Sequence, residues 1–146
     1  MSTRARPTAP ALQLPPLVCH LPADPRSVTR ARRALRRRLP EWGIGAEPAG
    51  VAELLVSELV TNAVKAPGPA IPVVGVRCAV AGGRLRLEVQ DTSEEQPSLR
   101  RQVEEDEECG RGLMLVDVLA DGWGVVRHVI GKTVWVEVAA GGGGLT

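Results

Sequence analysis

A carboxylate and a carboxamide stand four positions apart in Glu58-Leu59-Val60-Thr61-Asn62, inside the longest apolar run of the chain. In a helix that spacing puts both on one side, one turn apart. Oxygen-bearing side chains so placed, at the edge of apolar surface, have the chemistry to hold a hydrated magnesium ion and to orient an attacking oxygen. An ordinary solvated helix face accounts for the same pair, because polar residues at this spacing are common. The choice rests on what else the chain offers.

Three further places have suitable chemistry. Asp91 ends an alternating segment, where a carboxylate could accept a hydrogen bond from an exocyclic amine such as that of adenine, or simply start an Asx-turn. Gly110-Arg111-Gly112-Leu113 sets two glycines directly before a helical pattern, and backbone N–H groups at a helix start can receive phosphate oxygens. This is neither a Walker A loop nor a Rossmann fingerprint, since no Gly-Lys-Ser/Thr follows and no third glycine stands at the needed spacing. Thr133 opens the last strand-like segment, where it could reach a base or a bridging water, although a strand threonine is commonly structural.

The elements that must position these residues follow from periodicity. Leu17 to Leu21 reads as a first strand, and Ser27 to Leu39 as a helix capped by Asp24 or Ser27 and closed by Pro40. That helix carries Arg30, Arg32, Arg33, Arg36, Arg37 and Arg38 around a thin stripe of Val28, Ala31, Leu35 and Leu39. Its charge fits a solvated face or a docking surface for an acidic partner. Gly50 to Lys65 reads as a second helix. Ala52, Val56, Leu59, Val60, Ala63 and Val64 fall on one face, with Glu58 and Asn62 on the opposite arc in line with Val51, Leu54 and Leu55.

Ile71 to Val80 and Arg84 to Gln90 are expected to pair as strands around Gly82-Gly83. In the second, Leu85, Leu87 and Val89 face one way and Arg84, Arg86, Glu88 and Gln90 the other, so one side of the sheet is packed and helices cover a single face. Thr92 to Cys109 is acidic and aperiodic and reads as a lid-like loop. A short helix over Leu113 to Ala120 follows. Trp123 to Ile130 and Thr133 to Ala139 then close a hairpin around Gly131-Lys132. The fold class expected is α/β, a two-layer sandwich with a largely antiparallel mixed sheet and helices on one face. Residues 1–16 and 141–146 read as disordered tails around a single domain spanning 17–140.

Composition narrows the function classes. The 146 residues suffice to bury about two-thirds of the unfolded surface around one core. Phe and Tyr are absent, so Val, Leu, Ile and Ala must build that core, with Trp42, Trp123 and Trp135 as the large fillers. A formal charge of +1 gives no global field for nucleic acid or membrane, and a nucleic-acid surface would want aromatic platforms that the arginine helix lacks. Cys19, Cys78 and Cys109 are odd in number and widely spaced, which points away from a disulfide framework or zinc site and towards a reducing cytoplasm. No apolar stretch reaches membrane-span length, and the N-terminus lacks the apolar block of a signal peptide.

Taken in order, Val56-Ser57-Glu58-Leu59-Val60-Thr61-Asn62-Ala63-Val64, Asp91 at a strand end, Gly110-Arg111-Gly112-Leu113-Met114-Leu115-Val116 and Gly131-Lys132-Thr133-Val134-Trp135 closely resemble the GHKL (Bergerat-fold) ATP-binding domain. The nearest branch in resemblance is the anti-sigma regulatory factor serine kinases, short actinobacterial members especially, over about Leu17 to Val138. The resemblance implies ATP and Mg²⁺ as ligands. It makes Glu58 the catalytic base and Asn62 the magnesium ligand. Asp91 becomes the adenine reader, Gly110, Arg111, Gly112 and Leu113 the phosphate-contacting turn, Thr133 a second adenine-side contact, and residues 92–109 the lid. It further implies a sigma factor and an anti-anti-sigma (STAS-type) protein as partners, phosphorylation of a serine on the latter, and homodimerisation as in relatives.

The chain departs from the family pattern at Ser93, where a glycine is usual, and at Lys65-Ala66, where a histidine often follows the Asn. A module of the same fold that binds ATP without transferring phosphate remains the alternative. A histidine-kinase catalytic domain is disfavoured, because the chain shows no dimerisation helix pair and His20 and His128 are its sole histidines.

Overall fold

The computed structural model describes residues 14–65, 73–91 and 114–140. The chain begins with β1 (Leu17–Pro22), α1 (Arg26–Glu41), α2 (Ala46–Lys65), β2 (Val73–Ala81) and β3 (Arg84–Asp91). A helical stretch over 114–119 precedes β4 (Gly122–Arg127) and β5 (Lys132–Ala139). The strands form one sheet in the order β1-β2-β3-β5-β4, and all four pairings are antiparallel. The sheet described is thus antiparallel throughout, where a largely antiparallel mixed sheet was expected.

Alternation along the strands divides the sheet into a packed and a wet face. Leu85, Leu87 and Val89 on β3 are buried, as are Val74, Val76 and Cys78 on β2 and Val136 and Val138 on β5. Against them lie Ala31, Leu35 and Leu39 of α1 and the apolar face of α2, with Val116 of the short helical stretch fully buried beside them. α2 packs on β2, β3 and β5, and α1 on β1 and α2. Each fully buried leucine here contributes about 2 kcal/mol by transfer from water. The opposite face carries charge: the Arg86 guanidinium bonds Glu88 at 2.8 Å and Glu137 at 2.9 Å, and lies 4.4 Å over the Trp135 ring. These carboxylates raise the Arg86 pKa further above its ordinary value.

The turns follow glycine. Gly82 and Gly83 have φ of 60° and 75°, the left-handed pair that a two-residue type I′ hairpin needs. The β4–β5 connection is longer than the expected Gly131-Lys132 turn. His128 N–H donates to Gly131 O at 3.0 Å, Gly131 sits at φ 79°, and Lys132 is already the first residue of β5. β4 accordingly ends at Arg127, three residues earlier than expected.

Both helices are longer than their patterns suggest. α1 begins at Arg26, whose N–H donates to Asp24 Oδ1 at 2.8 Å, while buried Ser27 turns its hydroxyl back to Pro22 O at 2.6 Å. The N-cap position is Pro25, so neither Asp24 nor Ser27 caps the helix as expected, although Asp24 satisfies the first N–H from one residue further out. Pro40, expected to end the helix, lies inside its last turn. Gly43 ends it at φ 73°, with Gly43 N–H donating to Pro40 O and Ile44 N–H to Leu39 O, both at 3.0 Å, the hydrogen-bond pair of a Schellman stop. α2 starts at Ala46, four residues before the expected Gly50, because Pro48 is tolerated in a first helical turn, where an N–H would have no intrahelical partner.

Candidate functional site

α2 places Glu58 and Asn62 one turn apart, and both are half-buried. Their neighbours Leu55, Leu59 and Ala63 are buried, so the pair lies at the border of the core-facing side. Leu55 faces that core, not the polar arc on which helical spacing had grouped it with Val51 and Leu54. Neither the Glu58 nor the Asn62 side chain makes a hydrogen bond or ion pair among the described residues. A carboxylate and an amide held half out of water without a protein partner keep their oxygens available to a ligand.

Asp91 ends β3 in the same alternation as Leu85, Leu87 and Val89, so its side chain projects from the helix-covered face of the sheet, and the residue is only 5% exposed. A carboxylate buried that deeply needs compensation. Lys132 supplies it: directly opposite Asp91 in the β3–β5 register, it places Nζ 2.9 Å from Asp91 Oδ2. Gly131 is required beside this pair, because a Cβ there would run into the Asp91 carbonyl and its positive φ strains any other residue.

Thr133 does not join this group. It pairs with Gln90, one step along the register, and so points to the wet face with Arg86 and Trp135. There its hydroxyl lies 2.7 Å from His128 Nε2. The structure brings Lys132 to Asp91 where the sequence had suggested Thr133. The signal was present in the sequence, since Lys132 continues the row Val134, Val136 and Val138, but the turn length that sets this parity was misjudged. Gly110, Arg111, Gly112 and Leu113, like the loop 92–109, lie outside the described residues.

Among the described residues no group of three or more His, Cys, Asp or Glu side chains could hold a metal ion. Asn62 and Glu58 nevertheless suit a hard cation that takes most of its oxygens from a phosphate ligand and water, the usual manner of Mg²⁺. No described helix is long and apolar enough to cross a membrane.

The arginines of α1 divide by partner. Arg36 bonds Glu53 of α2 at 2.7 Å, and this carboxylate raises its pKa; Arg38 donates to Pro15 O at 3.1 Å and stacks 5.8 Å over Trp42. Arg30, Arg33 and Arg37 remain exposed on one side of the helix. The stripe of Ala31, Leu35 and Leu39 is buried in the core and Val28 is half-buried beside it, so the outward surface is dominated by arginine.

The chain is similar to the RsbU and RsbW domains of Rv1364c from Mycobacterium tuberculosis, at 24% identity and a TM-score of 0.68, covering 86% of this chain and 32% of that one. It is also similar to the histidine kinase domain of the blue-light activated histidine kinase EL346 from Erythrobacter litoralis, at 27% identity and a TM-score of 0.55, covering 83% of this chain and 62% of that one. A further structure of that kinase matches at 30% identity and a TM-score of 0.56, over 68% of this chain and 32% of that one. The chain thus spans between about a third and three-fifths of the length of these solved proteins. No curated protein matches it. The family described as histidine kinase-like ATPase domain matches residues 21–138, from the end of β1 through β5 and across every site residue described above, and the chain belongs to that family.

Proposed function

We infer that this chain is a cytoplasmic ATP- and Mg²⁺-dependent serine-protein kinase that acts as an anti-sigma regulatory factor by partner switching. The observation that carries the reading is the Glu58 and Asn62 pair, half-buried and without a described protein partner on α2, in a domain whose buried Asp91 lies on the helix-covered face. Membership of an ATPase-domain family supports the nucleotide, and the likeness to a protein with an RsbW domain, together with the motif resemblance, supports the anti-sigma branch.

In this mechanism Asp91 accepts a hydrogen bond from the exocyclic amine of adenine, and Asn62 offers its carbonyl oxygen to Mg²⁺. The metal, when bound, neutralises charge on the phosphates. Glu58 would take the proton from the serine hydroxyl of the anti-anti-sigma protein as that oxygen attacks the γ-phosphorus and the bond from the γ-phosphorus to the β,γ-bridging oxygen breaks, ADP being the leaving group. The turn at Gly110, Arg111, Gly112 and Leu113 is assigned the phosphates from its sequence alone. Sequestering a sigma factor would follow once the antagonist is phosphorylated.

Transfer of labelled phosphate from ATP to a co-purified partner tests this reading. Glu58→Gln should retain ATP binding and lose transfer by about a hundredfold or more, since the amide preserves shape and removes the proton acceptor. Transfer at the parent rate would remove Glu58 from the role of base. A protein that binds ATP and its partner yet transfers nothing even with Glu58 intact would favour the alternative, a non-catalytic ATP-binding module that sequesters a protein.

A further inference from the structure

The ion pair between Asp91 and Lys132 does more than compensate a buried charge. Both groups project from the helix-covered face, in directly opposed register, and they differ in exposure: the Asp91 side chain is 6% exposed and that of Lys132 32%. An ionised carboxylate only accepts hydrogen bonds and an ammonium only donates them. The pair therefore presents an acceptor and a donor side by side, 2.9 Å apart, with the donor reaching further towards solvent. An ionised carboxylate offers about four acceptor sites and an ammonium three N–H groups, more than the one ion pair between them uses.

An amine donor beside a ring-nitrogen acceptor is the complementary pattern, and it is the edge that adenine offers with N6 and N1. Asn and Gln read adenine in the same way, with an amide oxygen and an amide nitrogen on one side chain. We propose that Lys132 is a second base-reading residue, its ammonium donating to the adenine ring nitrogen while Asp91 accepts from the exocyclic amine. This rests on the nucleotide-binding reading above and deepens it. Lys132 also replaces Thr133 as the residue of the Gly131-Lys132-Thr133 segment that meets the base, because the strand register turns Thr133 to the other face.

The test measures binding of Mg·ATP and of inorganic triphosphate, a probe without a base, to the full chain and its variants by calorimetry. Lys132→Met should weaken ATP by about tenfold to a hundredfold, the range of one lost bidentate contact, with triphosphate affinity unchanged. Lys132→Arg, which keeps a cationic donor, should recover part of that loss. The double variant Asp91→Asn with Lys132→Met should bind ATP more tightly than Lys132→Met alone, since an Asn amide carries acceptor and donor together and leaves no buried charge. Thermal melts establish that each variant is folded.

If Lys132→Met binds ATP like the parent, or loses triphosphate affinity in the same proportion, the lysine acts at most as a general positive charge and the inference falls while the nucleotide reading stands. A double variant no better than Lys132→Met also overturns it. A folded parent protein that binds neither probe takes both readings down.

Discussion

Gly124 leaves the space that the Trp135 indole occupies: a Cβ at position 124 would lie 2.8 Å from Trp135 Nε1. The two residues face each other across the β4–β5 pair on the wet side of the sheet, and the same ring carries the Arg86 guanidinium at 4.4 Å. The indole cannot move aside without giving up that stack. Gly124→Ala should therefore destabilise the fold by about 1–3 kcal/mol, the usual cost of overpacking, although alanine suits a strand better than glycine does. Chemical denaturation of the two proteins checks this, and equal midpoints would mean that the ring shifts freely.

Asp91→Ala should weaken ATP by about 1–3 kcal/mol by leaving the base amine without its acceptor. The parent should prefer ATP over GTP, because the guanine edge presents a carbonyl where adenine presents the amine. Competition between the two nucleotides measures both, and equal affinities in the parent would count against Asp91 as the reader.

Arg33 and Arg37 are exposed on α1, whose apolar stripe is buried, so their contribution to any partner is electrostatic. Reversing both to Glu should slow association with an acidic partner, most strongly at low salt, and leave ATP affinity unchanged. Arg36 and Arg38 are unsuitable for this test because each already bonds within the domain. An unchanged association rate would make the helix an ordinary solvated face.

Cys78 gives a pH dependence of known sign. Burial first, then the charges of Cys19 and Glu88, push its thiol up from 9.0 to about 12. A folded-state pKa above the unfolded one contributes stability that is fully present below pH 9 and is lost as pH rises towards 12. Cys78→Ala should abolish this component, so the two melting curves should converge in alkali beyond any constant offset from the lost packing. At neutral pH the native Cys78 thiol should resist alkylation far longer than in denaturant.

Much of the sheet was legible because its alternation is uninterrupted. Leu85, Leu87 and Val89 fixed the packed face of β3, and Gly82-Gly83 fixed its turn. The same alternation, carried two residues further, would have placed Asp91 on the buried side. Lys132 was legible in its alternation with Val134, Val136 and Val138, but the expected Gly131-Lys132 turn puts it outside the strand, and the closure between His128 and Gly131 that brings it in has no residue signature. Leu55 was assigned to the polar arc because helical spacing cannot say how wide the buried face of α2 is; packing against β2, β3 and β5 widens it. Pro40 misled for a related reason: a proline near a helix end stops the helix only when no stronger signal follows, and Gly43 with its two backbone bonds is stronger.

The strand order has a kinetic consequence. β2–β3 and β4–β5 are each joined by a short turn containing a left-handed glycine and can form locally, whereas the β3–β5 junction brings together Asp91 and Lys132 from 41 residues apart. Closing that seam carries the larger chain-entropy cost and should come later in folding than either hairpin. Both members of the acceptor–donor pair lie on it, one on each side. A base site of the kind proposed would therefore be absent from any folding intermediate that has the hairpins alone, and a ligand held there would act as a clasp across this seam. Amide exchange along β3 and β5 should slow on ligand binding more than exchange along β1.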